Sequence, residues 1–441
     1  MEWQWAIALL FGLIVVLMLL GMPIAMAFLA ANIAAAMIFM GGAKGIAQVL
    51  NNGFGAMTSF ALVPIPMFLL MGELFYYTGL AARMFNAIDR LLGNVPGRLA
   101  YVTVIGGTAF ASLSGSSMGS TALLGSLMVP EMMKRGYSKY LSMGPIMGTG
   151  GLAVIIPPSA LAVLLATLGR SDVGALLLAG VLPGMLLAAL YGALIFVWTA
   201  VAPGAAPPYV AEAVPLGEKL RLVLLDVMPM LLVVVLVIGI MVAGYATPTE
   251  AAAVGCLGVM VLAVCYRSLN WASFRKSVDA ALRVTVMAFL IIFGSATFSQ
   301  LLAFSGASSG LISWATQFEV SALGMLAVMI AIIFFLGCFM DQLSMMLLTA
   351  PIFFPLAKTL GFDLTWFGLI MLLALEVGYT TPPFGLLLFV MKGVAPPGTT
   401  MREIYLAAAP FIGCVLLLIA IIIAFPPIAT WLPSLSRGGL P

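Results

Sequence analysis

The chain has 441 residues, of which 63% are hydrophobic and only 7% are charged, and its net charge is +3. A water-soluble protein of this length needs far more charged surface, so a polytopic all-α membrane protein is expected. No GxxxxGK[ST] phosphate-binding sequence occurs and histidine is absent. An ATP-hydrolysing site is therefore not expected, and the commonest proton carrier near neutral pH is missing. The energy for any transport would come from a partner or an ion gradient.

The first half, residues 1–201, begins and ends with ordinary membrane spans. Apolar runs predict these spans near 5–20, 23–41, 58–79 and 174–201. A loop is expected over 80–98, which carries three arginines.

Between these spans lies a segment too apolar for a soluble loop and too rich in Gly, Ser and Pro for an ordinary membrane helix. Two apolar arms, 99–113 and 121–133, flank the Ser/Gly cluster Ser114–Ser120. At about 1.5 Å per residue, neither arm crosses a hydrocarbon core of about 30 Å. Residues 99–133 are therefore predicted to form a re-entrant helical hairpin.

A broken transmembrane helix is predicted over 140–169, with interruptions at Gly148–Gly151 and at Pro157–Pro158. Irregular backbone at membrane depth is tolerated only where protein or a water-filled cavity satisfies its polar groups. The breaks therefore indicate helix ends that point at a binding site.

A Pro/Ala-rich linker at 202–218 leads into the second half, residues 219–441, which repeats this plan. Its predicted elements are spans near 219–243, 248–266 and 284–304, a hairpin over 321–358 with its tip at Gly337–Gln342, a broken span over 365–394 interrupted at Gly378–Pro383, and a last span at about 403–431.

Proline and glycine positions indicate an internal duplication. Each of these residues recurs 225 positions later: Pro23 as Pro248, Pro130 as Pro355, Gly136 as Gly361, Pro157 as Pro382, and Pro158 as Pro383. Paired, interrupted hydrophobic segments in two halves are the best sequence pointer to a transporter's binding site.

Charge indicates that the two halves are inverted. The flanks of the first hairpin, 80–98 and 134–139, hold six Lys or Arg residues, whereas the windows 225 residues later, 305–323 and 359–364, hold none. Positive residues favour the cytoplasmic side. The first hairpin is therefore expected to enter from the cytoplasm and the second from outside.

Severed helix ends that meet at half depth could bind ions. Carbonyls at helix C-termini, with Ser and Thr hydroxyls, suit a dehydrated alkali cation, and helix N-termini attract carboxylates. Serines and glycines in membrane helices also often serve only close packing or capping, and that alternative stays open here. The candidates are Ser114, Ser116, Ser117 and Ser120 facing Thr149, Gly150, Gly151 and Ser159, and Gly337, Asp341 and Gln342 facing Gly378, Thr380, Thr381 and Gly385.

Three acids lie in apolar surroundings, where a carboxylate is costly and hence a functional candidate. Glu376, just before the predicted break at Gly378, is the most interesting of them, and Glu73 is the second. Glu250, in the sequence TPTEA at a helix start, is better explained as a cap.

The blocks SGSSMGSTALLGSLMVPEMMKRGY, GPIMGTGGLAVIIPPSALAVLL, GCFMDQLSMMLLTAPIFFPLAKTLGFD and EVGYTTPPFGLLLFVMKGV carry a family resemblance. The chain resembles the large membrane subunit of tripartite ATP-independent periplasmic (TRAP) transporters over essentially its whole length. The resemblance implies an elevator-type secondary transporter in the bacterial inner membrane that takes up a small organic acid with sodium ions and needs no other cofactor. It also implies a separate small four-helix membrane subunit and a periplasmic substrate-binding protein as partners.

By position, the resemblance implies two cation sites with the substrate between the hairpin tips. The first cation site would use Ser114, Ser116, Thr149, Gly150, Gly151 and Pro157, and the second Gly337, Asp341, Gly378, Thr380, Thr381 and Pro382. Substrate contacts would come from Ser116, Ser117, Ser120, Ser159 and Gly385. Many family members have an acidic residue or Thr where Gly119 and Ser120 stand here.

Two alternatives from other classes remain at this stage. One is a stand-alone sodium/carboxylate symporter that needs no binding protein, and the other is a membrane scaffold subunit that carries no substrate. A membrane-embedded hydrolase is the weakest option, because no nucleophile–base pair or metal-ligand cluster stands out.

Overall fold

A computed structural model describes residues 3–114, 117–207, 214–317, 320–338, 340–382 and 385–437. Within these ranges the chain is helical and contains no strand, which confirms the predicted all-α class. Among the described residues, six helical segments are long and apolar enough to cross a membrane, or seven if one bent pair counts as a single span.

The helices of the first half follow the predicted plan, with additions. They are α1 (Trp3–Leu19), α2 (Ile24–Phe39), α3 (Ala43–Met57), α4 (Pro64–Tyr77), α5 (Leu80–Leu91), α6 (Arg98–Ser114), α7 (Ser117–Lys134), α8 (Lys139–Ile155), α9 (Ala160–Leu168), α10 (Val173–Ala179) and α11 (Val181–Val201).

The second half contains α12 (Leu216–Leu222), which a π-helical turn at Val223–Val227 joins to α13 (Met228–Val242). The remaining helices are α14 (Pro248–Cys265), α15 (Trp271–Phe304), α16 (Ala307–Gln317), α17 (Ala322–Gly337), α18 (Gln342–Thr359), α19 (Leu364–Thr380), α20 (Leu386–Val394), α21 (Met401–Ala424) and α22 (Pro427–Arg437).

Element boundaries recur with the 225-residue displacement. Shifting α7 by 225 positions gives 342–359, the bounds of α18, and shifting α8 gives 364–380, the bounds of α19. The long helix α15 corresponds to α3 and α4 together, which the first half separates at 58–63. Pro64 and Pro66 follow this separation and lack the backbone N–H that a continuous helix would need there.

The expected loop at 80–98 is wrong over its first part, where α5 forms. Met84, Phe85 and Ile88 are buried on one side of this helix, whereas Arg83 and Arg90 remain half-exposed. The arginines between these residues interrupt the apolar run, so a search for apolar runs does not detect the stripe. The same cause hid the start of α15, which begins at Trp271 rather than near 284 and is capped by Asn270.

The expected interruption at Gly148–Gly151 is also wrong, because α8 runs unbroken from Lys139 to Ile155. These glycines serve close packing instead. A Cβ on Gly144 or Gly148 would come within 2.5 or 2.8 Å of the Phe411 ring of α21. Small residues let membrane helices approach this closely. The predicted break at Pro157–Pro158 is present between α8 and α9, which meet at a bend of 48°.

The second broken span separates later than expected. α19 continues through Gly378 to Thr380, and α20 begins at Leu386. Pro383 belongs to the predicted break but lies outside the described residues.

Two packing groups in the described part of the chain position the predicted site. In one, α15 packs on α2, α3 and α4, and α14 packs on α4 and α13. In the other, the arms α6 and α7 pack on α8, and the arms α17 and α18 pack on α19. The second group holds most of the predicted site residues that the structure describes, and Pro157, Ser159, Pro382 and Gly385 lie just after its helices α8 and α19.

Candidate functional site

α17 and α18, the arms of the predicted second hairpin, lie next to α19, and α17 contacts α19 through a glycine pair. An ideal Cβ on Gly337, at the end of α17, would lie 2.3 Å from the carbonyl carbon of Gly378. Next to this pair, the Cys338 thiol donates to the Pro382 carbonyl oxygen at 3.3 Å. Five of the predicted second-site residues therefore lie at or next to this contact between α17 and α19, namely Gly337, Gly378, Thr380, Thr381 and Pro382.

The hydroxyls of Thr380 and Thr381 are turned toward their own helix. Thr380 Oγ1 donates to the Glu376 carbonyl oxygen at 2.9 Å, and Thr381 Oγ1 donates to that of Val377 at 2.5 Å. Gly385 caps α20 at a place where a Cβ would lie 2.8 Å from the Tyr379 carbonyl oxygen.

The first hairpin meets α8 in a similar way. A Cβ on Gly150 would lie 2.4 Å from Thr121 Oγ1 and 3.1 Å from the Ser117 carbonyl oxygen. Thr149 is fully buried, and its hydroxyl donates to the Pro145 carbonyl oxygen at 2.8 Å. Ser120 is buried on α7 as well.

Two predicted residues at this tip lie partly or wholly outside the described residues. Ser114 is the last residue of α6, and its side chain is outside the described part of the chain. Ser116 lies wholly outside the described residues.

Ser159 lies in the break after α8, and the hydrogen bonds of its hydroxyl stay within the segment 154–162. Ser159 Oγ accepts from the Ala162 amide at 3.2 Å and donates to the Val154 carbonyl oxygen at 2.7 Å. Pro157 lies within this break, in a cis peptide with Pro158. Ser159 therefore acts as a helix cap, the alternative that was open for any single serine.

Glu376 joins α7 and α18, the second arms of the two predicted hairpins. Its Oε2 accepts from Ser117 Oγ of α7 at 3.2 Å and also from Gln342 Nε2 of α18. Ser117 and Gln342 are the first residues of their helices, and they occupy equivalent positions in the two halves. We call Ser117, Gln342 and Glu376 the central cluster.

Beside the central cluster lies a cleft of about 210 Å³. Residues from the start of both second arms line it, together with apolar side chains of α4, α9 and α15. The polar lining residues are Ser117, Asp341, Gln342 and Tyr379. Asp341 accepts from the Ser344 hydroxyl, so its carboxylate stays at the start of α18.

The cleft includes only part of the predicted substrate set. Among the described residues that line it, Ser117 is the one predicted substrate contact, whereas Ser120, Ser159 and Gly385 are not among them. Sequence reasoning identified Glu376 as a candidate acid but did not place it in either ligand set. The available signal was an acid inside an apolar run, close to a break.

Glu250 is a helix cap, as the sequence indicated. Its carboxylate accepts from the Thr247 amide at 2.8 Å, and the Thr247 hydroxyl accepts in turn from the Glu250 amide, which forms a capping box.

A family model for the DctM component of tripartite ATP-independent periplasmic transporters matches residues 11–428. The chain belongs to this family. It is therefore a large permease subunit of the TRAP class, as the resemblance of its hairpin and diproline blocks implied, and its relatives are named as transporters rather than enzymes.

Two relatives illustrate the range of this TRAP family. The C4-dicarboxylate TRAP transporter large permease protein of Pseudomonas aeruginosa is 33% identical over 85% of this chain and 86% of its own length. The sialic acid TRAP transporter large permease protein of Vibrio cholerae is 28% identical over 96% of this chain and 97% of its own length.

The fold of this TRAP permease is shared with a more distant transporter. The crystal structure of the Alcanivorax borkumensis YdaH transporter aligns with a TM-score of 0.63 at 14% identity, covering 88% of this chain and 90% of that one.

Proposed function

We propose that this TRAP permease carries a small organic anion of the carboxylate class into the cell, coupled to sodium ions. The observation that supports this most is the cleft between the starts of α7 and α18. A pocket for such a solute needs an apolar wall with a few convergent polar groups, and this cleft has that composition.

An anion in the cleft would face the positive ends of two helices. α7 and α18 each have 18 residues and begin at the cleft with Ser117 and Gln342, and helix N-termini attract anions. Asp341, which also lines the cleft, would repel the same anion. A cation between Asp341 and the substrate would remove this repulsion, so the arrangement favours joint binding of the two.

We propose that each half supplies one cation site at its hairpin tip. Tight contacts between the first tip and Gly150, and between Gly337 and Gly378, bring backbone oxygens of two elements together. Each sodium ion that enters contributes about 2.3 kcal/mol per 100 mV of membrane potential, besides its concentration gradient.

In an elevator mechanism, one of the two packing groups would move relative to the other. The hairpins and broken spans would move as one unit against the frame formed by α1–α4 and α13–α15. Most contacts of each group lie within that group, which supports this proposal, and the surface between them is formed by α4 against α6 and α9 and by α15 against α18.

The family name describes a three-part transporter. We propose that the chain works in the bacterial inner membrane with a separate small membrane subunit and a periplasmic binding protein that delivers the substrate. The substrates named for the two relatives define the first compounds to test, which are C4-dicarboxylates and sialic acid.

Uptake by proteoliposomes tests the proposal. The chain, reconstituted with both partners, should accumulate radiolabelled succinate or sialic acid only under an inward sodium gradient. Uptake that continues undiminished without sodium on either side would disprove the coupling. Uptake by the chain alone would favour the stand-alone symporter, and unchanged flux after substitution of the cleft residues would favour the scaffold.

Asp341→Asn tests the cation in the cleft. Loss of the charge should raise the sodium concentration for half-maximal uptake roughly tenfold, since ligand and supporting carboxylates tune affinity on that scale. Asp279→Asn is the control, because Asp279 is an exposed residue of α15 that pairs with Arg283 at 3.0 Å. Equal sodium dependence in the two variants would contradict the assignment of Asp341.

A further inference from the structure

Helices α9 and α20 follow the two breaks and occupy equivalent positions, since a displacement by 225 residues carries α9 onto 385–393. Their contacts with the hairpins and broken spans are equivalent as well. α9 packs on α8, α18 and α19, and α20 packs on the counterparts of these helices, which are α19, α7 and α8. Helices α6–α9 and α17–α20, which we call the hairpin group, therefore have the same internal packing in both halves.

Contacts between the hairpin group and the frame helices α4 and α15 do not follow this symmetry. α9 packs on α4, whereas the main partners of α20 in the described part of the chain are α7, α8, α19 and α21. α6 also packs on α4, whereas its counterpart α17 packs on α18 and α19. α18 packs on α15, whereas its counterpart α7 packs on α6, α8 and α20. The hairpin group is thus displaced toward one side of the frame.

Exposed apolar side chains mark the surfaces that this displacement leaves uncovered. Leu164 of α9 is 1% exposed and lines the cleft beside the central cluster together with the buried Ile65 of α4. Its counterpart on α20, Phe389, is 45% exposed, and Leu290 of α15, the counterpart of Ile65, is exposed too. Exposed apolar residues of a membrane protein also face lipid. The buried equivalent pair is what indicates a protein partner here.

A second pair of contacts shows the same difference between the halves. The rings of Phe75 on α4 and Phe110 on α6 lie 6.2 Å apart, and Phe110 is buried. The counterparts of these residues are Gln300 on α15 and Phe335 on α17. Phe335 is 67% exposed. The second half therefore has an uncovered surface where the first half has a packed interface.

We infer that the exposed face of α20 is a docking surface for α15 in a second state of this protein. In that state Phe389 packs against Leu290 and Phe335 packs against Gln300, while α9 and α6 leave α4. One set of interfaces replaces an equivalent set, so two such states can be close in free energy. This exchange rests on the proposed elevator movement and names the contacts that the movement would form.

Space for the movement exists between α4 and α7. A cleft of about 280 Å³ separates these helices, with Gly72 and Glu73 on the side of α4 and Gly119, Ala122 and Ser126 on the side of α7. Small residues let membrane helices approach closely. Since α18 already packs on α15, the equivalent contact of the second state brings α7 onto α4 and closes this cleft.

The uncovered surface of α20 lies toward the side where the basic residues are found. α20 leads to the start of α21, where Glu403 forms an ion pair with Lys139 at 2.9 Å. Lys139 belongs to the basic window 134–139, which is expected in the cytoplasm. The described state is then open toward the cytoplasm, and docking of α20 on α15 closes that side, as alternating access between the two repeats requires.

Disulfide trapping tests the inference. The chain, with its four native cysteines replaced, is reconstituted in proteoliposomes with both partners. Leu290→Cys combined with Phe389→Cys should form an intramolecular cross-link on oxidation. The cross-link should abolish uptake, and reduction should restore it, because a fixed α20 holds the hairpin group in one position. No cross-link in a double variant that still transports would overturn the inference.

Ile65→Cys with Leu164→Cys is the matched control, because it is the equivalent pair on helices that pack together in this structure. It should also cross-link and block uptake. Full uptake by this cross-linked control would show that the hairpin group does not move, which overturns the inference as well. If both pairs cross-link but the cysteine-free parent takes up neither succinate nor sialic acid, the proposed function fails and the second state stands.

A further pair covers the case in which the first double variant does not fold. Gln300→Cys with Phe335→Cys should cross-link and block uptake reversibly, and Phe75→Cys with Phe110→Cys is its control. Cross-linking of the control pair alone, in variants that both transport before oxidation, would contradict the exchange of contacts.

Discussion

At Gly337 the last turn of α17 touches α19 backbone to backbone. An added Cβ would lie 2.3 Å from the Gly378 carbonyl carbon and 2.4 Å from its Cα. Backbone atoms inside a packed helix cannot move aside as the end of a flexible side chain can. This contact therefore requires glycine at 337 for steric reasons, independently of any role in ion binding.

Gly337→Ala should destabilise the protein by about 1–3 kcal/mol, the usual cost of overpacking, and should impair uptake by forcing the second tip away from α19. The measurement is the midpoint of thermal aggregation of the detergent-solubilised protein, followed by uptake in proteoliposomes. Gly239→Ala is the control, because a Cβ there meets nothing within 4 Å. If both variants have the same midpoint as the wild type, the close contact is not present.

At the scale of single residues, the sequence predicted which small residues lie at helix contacts. It did not predict which residues those contacts involve. Gly337, Gly378 and Gly150 were expected near the breaks and do lie at close helix contacts. That Glu376 bonds to Ser117 and Gln342 was not predictable, because the three residues come from separate elements and only the fold brings them together.

Helix α5 is fixed to the second half by charged side chains. Arg83 forms an ion pair with Asp226, in the turn between α12 and α13, and lies 4.4 Å above the Tyr266 ring. Arg90 pairs with Glu218 of α12. An amphipathic helix on the surface is thus held by specific contacts on both of its faces.

Reversal of one of these charges should loosen this helix, and reversal of both should restore it. Arg83→Glu or Asp226→Arg alone should cost about 1 kcal/mol, since Arg83 is 46% exposed and solvent screens the pair. The double variant should recover most of the loss in a double-mutant cycle of thermal stability. Additive losses in the double variant would indicate that the two side chains do not interact.

Among the elements, the helices of long apolar runs were predictable and the helices with mixed composition were not. α3, α5 and the start of α15 combine polar or charged residues with a buried stripe, so a search for apolar runs passes over them. The glycines of α8 favour a break when read alone. In the structure α8 is continuous, and Phe411 of α21 packs directly against its backbone at Gly144 and Gly148.

At the scale of the whole molecule, equivalent contacts join the two halves. Lys139, at the start of α8, forms an ion pair with Glu403, at the start of α21, at 2.9 Å. The equivalent contact brings Gly368, near the start of α19, next to Leu176 of α10. A Cβ added to Gly368 would lie 3.1 Å from the Leu176 side chain. Displacement by 225 residues carries α8 onto α19 and the segment that contains α10 onto α21.

The distribution of basic residues predicts that the two halves face opposite sides of the membrane. Lys134, at the end of α7, and Thr359, at the end of α18, are equivalent positions and both are exposed. The basic residues around the first position favour the cytoplasm, and the corresponding window of the second half lacks them. An inverted repeat therefore places these two residues on opposite sides of the membrane.

Labelling from each side tests this placement. In a background with the four native cysteines replaced, Lys134→Cys should react with a membrane-impermeant maleimide only in inside-out vesicles, and Thr359→Cys only in right-side-out vesicles. Solubilised protein should label at both positions, which controls for burial. Labelling of both from one compartment would mean that the halves run parallel. The hairpin tips could then not approach one cleft from opposite faces, and alternating access through it would have no structural basis.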